Sequence, residues 1–153
     1  REVLFNVIGA EFEGKIVLDL FGGCGTLGLE ALSWGAERIL FSDVDRESVT
    51  TIKKNVAALG TDSKTAVYNV DAESMVHRLA GLGERVDIVF LDPPYNKGLL
   101  TKILHTLNEY DILNSSGLLI LLGSVREPAD TAGFFCLFER CYGDRRVMIL
   151  EKR

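Results

Sequence analysis

Val17-Leu18-Asp19-Leu20-Phe21-Gly22-Gly23-Cys24-Gly25-Thr26-Leu27-Gly28 carries the strongest architectural signal in the chain. The apolar run over residues 16–20 ends abruptly in glycines, and an apolar-periodic stretch over 27–32 follows it. That order predicts a buried strand, a tight turn and the start of a helix. Glycine suits the turn because the backbone must bend sharply and admit a ligand with no Cβ in the way. The first amides of the helix then offer donors to a carboxylate or phosphate. Gly23, Gly25 and Gly28 fit G-x-G-x-x-G, which alone predicts only a nucleotide-like ligand.

Working outward, acids stand at the tips of successive apolar runs. Asp19 ends the first, where a dinucleotide-binding fingerprint has no fixed acid. Asp43, with Val44 beside it, closes the run over 38–42 about 20 residues beyond Gly23, where an acid accepts from both ribose hydroxyls. Asp71-Ala72 follows the run over 65–70, and Asp92 follows the run over 86–91. Ligands of open α/β sheets lie beyond the carboxyl ends of the strands, so these four acids are expected around one crevice. Asp45 fits either a second ribose contact or the N-cap of the next helix.

The remaining elements follow from periodicity and breakers. Helices are expected over 26–34, 46–59, 72–82 and 99–110, and strands over 16–20, 38–42, 65–70, 86–91 and 118–122. The fifth strand follows a turn at Asn114-Ser115-Ser116-Gly117. The run over 86–91 is apolar apart from Asp87, as befits a central strand covered on both faces. Val3, Leu4, Val7 and Ile8 form a helical stripe that should pack on the sheet or lie across the ligand mouth. Residues 134–141 and 145–152 read as a hairpin around Tyr142-Gly143-Asp144. The expected fold is α/β: a doubly wound, mostly parallel seven-stranded Rossmann-like sheet with a C-terminal antiparallel hairpin.

Composition narrows the function classes. A chain of 153 residues, 47% hydrophobic and 25% charged, reads as one globular domain over 1–153. It has neither an apolar run near the roughly 18 residues of a membrane span nor a signal-peptide pattern. A cytoplasmic monomer with no membrane contact is expected, and because Arg1 rather than Met comes first, a natural chain that begins earlier. The net charge of −5 argues against indiscriminate nucleic-acid binding, which needs Lys and Arg. An enzyme visiting one structured site needs only a basic rim, for which Lys97, Lys102, Arg126, Arg145 and Arg146 are candidates. Cys24, Cys136 and Cys141 lack metal-ligand spacing and cannot all pair, which fits a reduced compartment. Cys24 has no base near it in sequence and reads as a small filler of the turn. His77 and His105 lie on helix patterns and read as surface or half-buried groups, and Trp34 reads as packing.

Phe90-Leu91-Asp92-Pro93-Pro94-Tyr95 supplies the chemistry. The lone pair of an exocyclic amino nitrogen is delocalised into its base. Acceptors that hold both N–H bonds bias that nitrogen toward tetrahedral geometry and aim it at an electrophile. The Asp92 carboxylate and the Pro93 carbonyl are such acceptors, Pro93 and Pro94 lock the turn, and Tyr95 offers a ring to an extruded base. Proximity and orientation then carry most of the rate.

D-x-F-x-G-x-G-x-x-G from Asp19 to Gly28 resembles motif I of the class I S-adenosylmethionine methyltransferases, and Asp92-Pro93-Pro94-Tyr95 resembles their amino-methylating D-P-P-Y motif. The resemblance implies S-adenosylmethionine as donor and S-adenosylhomocysteine as product. It assigns the donor to Asp19, Phe21, Gly22, Gly23, Gly25, Gly28, Asp43, Val44, Asp71 and Ala72, with the adenine amino group at Asp71-Ala72. It assigns catalysis to Asp92, Pro93, Pro94 and Tyr95.

Three further segments bring the resemblance closer: Arg1-Glu2-Val3-Leu4-Phe5-Asn6, Leu18-Asp19-Leu20-Phe21-Gly22-Gly23 and Leu29-Glu30-Ala31-Leu32-Ser33-Trp34-Gly35-Ala36. With D-P-P-Y they resemble the RsmD family, bacterial 16S ribosomal RNA guanine-N2 methyltransferases, over nearly the whole chain. The resemblance implies a flipped guanine of 16S RNA, presented within an assembling small subunit. The chain departs from the family after strand five, where Leu121-Leu122-Gly123-Ser124 replaces a glutamate-bearing segment. A DNA adenine-N6 methyltransferase shares D-P-P-Y. A nicotinamide dehydrogenase uses the glycine turn but has no use for D-P-P-Y, and a non-catalytic nucleotide-binding module needs no such set of acids.

Overall fold

The computed structural model describes residues 5–6, 8–95 and 97–153. Its strands are β1 (Ile16–Asp19), β2 (Arg38–Ser42), β3 (Thr65–Tyr68), β4 (Val86–Leu91), β5 (Leu113–Ser124), β6 (Phe134–Tyr142) and β7 (Arg145–Lys152). Its helices are α1 (Thr26–Ser33), α2 (Arg46–Ala58), α3 (Ala72–Leu82) and α4 (Leu99–Glu109). One seven-stranded sheet runs in the order β3-β2-β1-β4-β5-β7-β6. The first five strands are mutually parallel, and β7 lies antiparallel between β5 and β6. This is the expected doubly wound sheet with its terminal hairpin.

Alternation along the strands explains the near-continuous apolar runs. In β4, Ile88 and Phe90 face one side with α1 and α2, while Val89 and Leu91 face the other with α3 and α4. Met75, Val76 and Leu79 of α3 and Leu100, Ile103, Leu104 and Leu107 of α4 are all buried on that second side. On the first side, Phe12 stacks on Phe90 at 5.8 Å and tilts against Phe5 at 5.1 Å. Of the N-terminal stripe, Ile8 packs on this side of the sheet, joined by Phe5, which the stripe did not include; Val3, Leu4 and Val7 lie outside the described residues.

Two strands, β3 and β5, depart from expectation by more than one residue. β3 stops at Tyr68, because Asn69 turns its side-chain amide to the carbonyls of Asp43 and Val44 at 3.0 and 3.2 Å. β5 begins at Leu113, and the expected turn at 114–117 is a bulge within it. Val86 pairs with Leu113 and Ile88 with Leu118, so the intervening residues loop out opposite Asp87. Asp87 fastens that bulge: one oxygen accepts Asn114 Nδ2 at 2.9 Å and the other accepts the Ile16 amide at 2.9 Å. A polar residue in a central strand is thereby paired on both oxygens. No helix among the described residues is long and apolar enough to cross a membrane.

Candidate active site

The glycine turn leaves β1 and enters α1 through two left-handed residues, Gly23 at φ 60° and Gly25 at φ 87°. Gly28 serves packing instead: a Cβ there would run into the Phe41 ring and Ile39, so its absence lets α1 lie close on β2. Each part of the turn is tied down. The Gly22 amide donates to the Ser42 carbonyl at 2.9 Å, and the Gly25 amide to the Gly22 carbonyl at 2.8 Å. Asn55 of α2 donates Nδ2 to the Cys24 carbonyl at 2.8 Å, and Ser42 donates its hydroxyl to the Leu20 carbonyl at 3.0 Å. Asn55, Asn69 and Ser42 carry no sequence signature of this role, since a side chain reaching a distant carbonyl has no fixed spacing.

The acids divide by function. Asp43 accepts the Gly23 amide on Oδ2 at 2.9 Å and the Asp45 amide on Oδ1 at 2.8 Å. Asp45 is the N-cap of α2, accepting from the Ser48 amide at 3.3 Å and the Ser48 hydroxyl at 3.0 Å. Of the two readings open for Asp45, the cap is the one the geometry supports. Asp71 likewise caps α3, accepting the Ser74 amide at 2.8 Å and the Ser74 hydroxyl at 2.9 Å. The Ser74 amide is the main reason its carboxyl titrates below the ordinary range. An aspartate just before the apolar-periodic run over 72–82 is a capping signal the sequence does carry.

Asp19 and Asp92 are different. Asp19 is 1% exposed, and neither carboxylate oxygen has a hydrogen-bond partner. Burial first, then the charge of Asp92, pushes its pKa up from 3.8 to about 7; the nearby Gly28 and Phe21 amides oppose the rise without reaching good hydrogen-bond geometry. Burial also raises Asp92, and Arg145, with Nη2 3.7 Å from Oδ1, pulls it back. A buried carboxylate left without partners is costly and marks a place for a donor from outside the chain.

Two clefts open on Asp92. The first, about 560 Å³, is walled by Asp43, Val44, Asp71, Ala72, Phe21 and Pro93, with Gly23 and Pro94 also on its surface. It gathers six of the expected donor-binding positions from three strand tips, with the Asp92-Pro93-Pro94 turn of a fourth beside them. The second, about 680 Å³, runs from Gly22, Cys24 and Thr26 to Tyr142, Arg145 and Arg146. Phe21, Gly23 and Asp92 belong to both. Asp19, Gly25 and Gly28 shape the turn from within, and Tyr95, 46% exposed, follows the prolines without lining either cleft.

The rim candidates separate too. Lys102 lines the first cleft but is paired with Glu73 at 3.0 Å, whereas Arg145 and Arg146 face the second. Lys97 and Arg126 are exposed and line neither. His105 binds Asp130 at 2.9 Å and His77 packs on Tyr110 at 4.5 Å, both apart from the clefts. Trp34 stacks on Phe5 at 6.1 Å, as packing.

Comparison with known proteins agrees with this fold. The family model described as "Conserved hypothetical protein 95" matches residues 1–151. The chain is 36% identical over 155 residues to "Putative rRNA methyltransferase YlbH" of Bacillus subtilis (strain 168), covering 100% of itself and 84% of that protein. It is 34% identical over 131 residues to "Ribosomal RNA small subunit methyltransferase D" of Escherichia coli (strain K12), covering 86% of itself and 64% of that protein. The solved structure of "Putative methyltransferase yhhF from Escherichia coli" superposes with a TM-score of 0.86 at 28% identity, over 99% of this chain and 84% of that one.

Proposed function

The chain belongs to the RsmD family, whose model is the one described as Conserved hypothetical protein 95, and on that premise we propose that it methylates the exocyclic N2 of a guanine in 16S ribosomal RNA, with S-adenosylmethionine as donor. The observation that carries the reading is the meeting of two clefts at Asp92, one walled by the acids of three strand tips and the other by arginines.

The residues present fit the donor. Asp19 has a buried carboxylate with no partner, and it suits an ammonium group brought against the glycine turn. Asp43 spends one acceptor position of each oxygen on a backbone amide, leaving the others for ribose hydroxyls. Asp71 and Ala72 take the adenine end. When bound, S-adenosylmethionine supplies a methyl group already activated on a sulfonium.

The chain then has to orient and exclude. The Asp92 carboxylate and the Pro93 carbonyl accept the two N–H bonds of the guanine amino group and turn its lone pair toward the first cleft. Burial raises Asp92, which suits it to take the proton that the nitrogen releases. Pro93 is buried and fixes the turn, while exposed Pro94 and Tyr95 meet the base from solvent. In this reading residues 1–153 act as one domain and as a monomer in the cytoplasm. The RNA is met within an assembling small subunit, where a guanine can still leave its stack.

Two measurements test it. S-adenosylhomocysteine at about a hundred times its dissociation constant should stabilise the protein by roughly 2.7 kcal/mol, and NAD should not. Mapping of methylated guanines in 16S RNA from cells lacking the protein should reveal one missing mark, restored by the purified chain. Stabilisation by NAD alone, or methyl transfer to DNA adenine in place of RNA, would displace the proposal.

A further inference from the structure

The second cleft carries a feature that the donor site does not use. Arg145 approaches Asp92 at 3.7 Å, with the two side chains 57% and 39% exposed. We propose that this cleft receives the acceptor nucleotide and that Arg145 is its positioning residue, resting on Asp92 in the free enzyme and passing to the nucleotide's phosphate as the amino group takes its place on the carboxylate. The inference rests on the methyltransferase reading above and adds to it where the RNA enters and which side chain steers it.

Three observations support the assignment. First, the ion pair is long, with a half-buried carboxylate and a largely exposed guanidinium, a contact that is cheaply broken. An arginine fork released from it matches a phosphate better than it matches one carboxylate oxygen. Second, Arg145 is held on rigid backbone. It opens β7, opposite Ser124 of β5 and Tyr142 of β6, and the Val125 amide donates to the Asp144 carbonyl at 2.8 Å. Beside it, Arg146 donates Nη2 to the Glu127 carbonyl at 2.8 Å while its Nε is buried with no partner.

Third, charge and shape are sorted between the two clefts. The first holds Asp43, Asp71, Glu73 and Asp92, and its one cation among the described residues, Lys102, is neutralised by Glu73. The second has Asp92 as its one acid among the described residues, with Arg145 and Arg146 opposite. Its walls are otherwise suited to a base: Phe21 and Leu27 on one side, Leu122 and Tyr142 on the other. The Tyr142 ring is backed by the Arg140 guanidinium at 5.3 Å. A cationic donor in the acidic cleft and an anionic acceptor in the basic one meet over the carboxylate they share.

The test compares wild type with Arg145→Ala and Arg145→Lys on small ribosomal subunits purified from cells lacking the protein. For Arg145→Ala, KM for the subunit should rise about tenfold, with S-adenosylhomocysteine affinity unchanged as the check on folding. The slope of log kcat/KM against log salt concentration should flatten by about 0.7, the amount due to one phosphate that is no longer neutralised, which a purely structural role would not produce. Arg145→Lys should restore the slope but only part of KM, since an ammonium lacks the fork. An Arg145→Ala enzyme with wild-type KM and salt slope overturns the proposal and leaves the methyltransferase reading intact. A wild-type chain that binds S-adenosylhomocysteine yet methylates no RNA overturns that reading, and this one with it.

Discussion

The carboxylate of Asp43 accepts the Gly23 amide at 2.9 Å, so the tip of β2 holds the turn that follows β1. One acid thereby shapes the first cleft while keeping acceptor capacity for a ligand. Asp43→Ala removes both at once. Hydrogen bonds to charged groups contribute about 1.5–3 kcal/mol each, so S-adenosylhomocysteine should bind roughly ten- to a hundredfold more weakly. Isothermal calorimetry reads this directly, and affinity within twofold of wild type would move the ribose contact elsewhere.

Asp92 borders both clefts, and in the proposed mechanism it holds the acceptor's amino group, not the donor. Asp92→Ala should therefore lower turnover by more than about a hundredfold while leaving S-adenosylhomocysteine affinity nearly intact. Methylation by that variant at the wild-type rate would remove Asp92 from the chemistry.

The buried Asp19 makes stability depend on pH. Folded, it keeps its proton up to about pH 7; its ordinary value is 3.8. Between those values the native state binds more protons than the unfolded state, so stability falls as pH rises, with the full penalty present above pH 7. At 1.36 kcal/mol per pKa unit the penalty is on the order of 4 kcal/mol. Asp19→Asn keeps the shape and abolishes the titration. It should melt above wild type at pH 8, with the gap shrinking toward pH 5, and it should lose donor affinity. Identical melting at both pH values would mean that Asp19 is not the buried acid described.

Gly28 lies where α1 meets β2, against Phe41 and Ile39. Gly28→Ala should destabilise the fold by about 1–3 kcal/mol through overpacking. Urea unfolding gives the number; a midpoint equal to wild type would mean the helix can shift outward freely.

Asp71 has two duties that one substitution can separate. Serine is as good an N-cap as aspartate, so Asp71→Ser should leave the melting temperature within about 2 °C. Affinity for S-adenosylhomocysteine should nonetheless fall several-fold, because the carboxylate facing the cleft is gone. Unchanged affinity would leave Asp71 a cap alone.

Much of the fold is legible in the amino-acid order. The ranges of α3, β4 and β7 follow from apolar periodicity bounded by Gly, Pro or a turn, and they agree residue for residue with expectation. The acids at strand tips are legible for the same reason: each ends an apolar run. The bulge in β5 is not. Asn114-Ser115-Ser116-Gly117 has true turn chemistry, and Ser116 does sit at φ 63°. What the local sequence lacks is the pairing of Leu113 with Val86, a tertiary contact that makes the residues before the bulge part of the strand. The second cleft is hidden likewise: Arg145 meets Asp92 only because β7 is inserted in reverse beside β5.

That reversed insertion has an evolutionary consequence. Among the described residues the first cleft is lined by positions 20–103, whereas the second takes Tyr142, Arg145, Arg146 and Val147 from the terminal hairpin. On the proposed assignment, altering that hairpin would change which polynucleotide is selected while the lining of the first cleft stays as it is, so specificity and chemistry would be free to diverge at different rates within one fold.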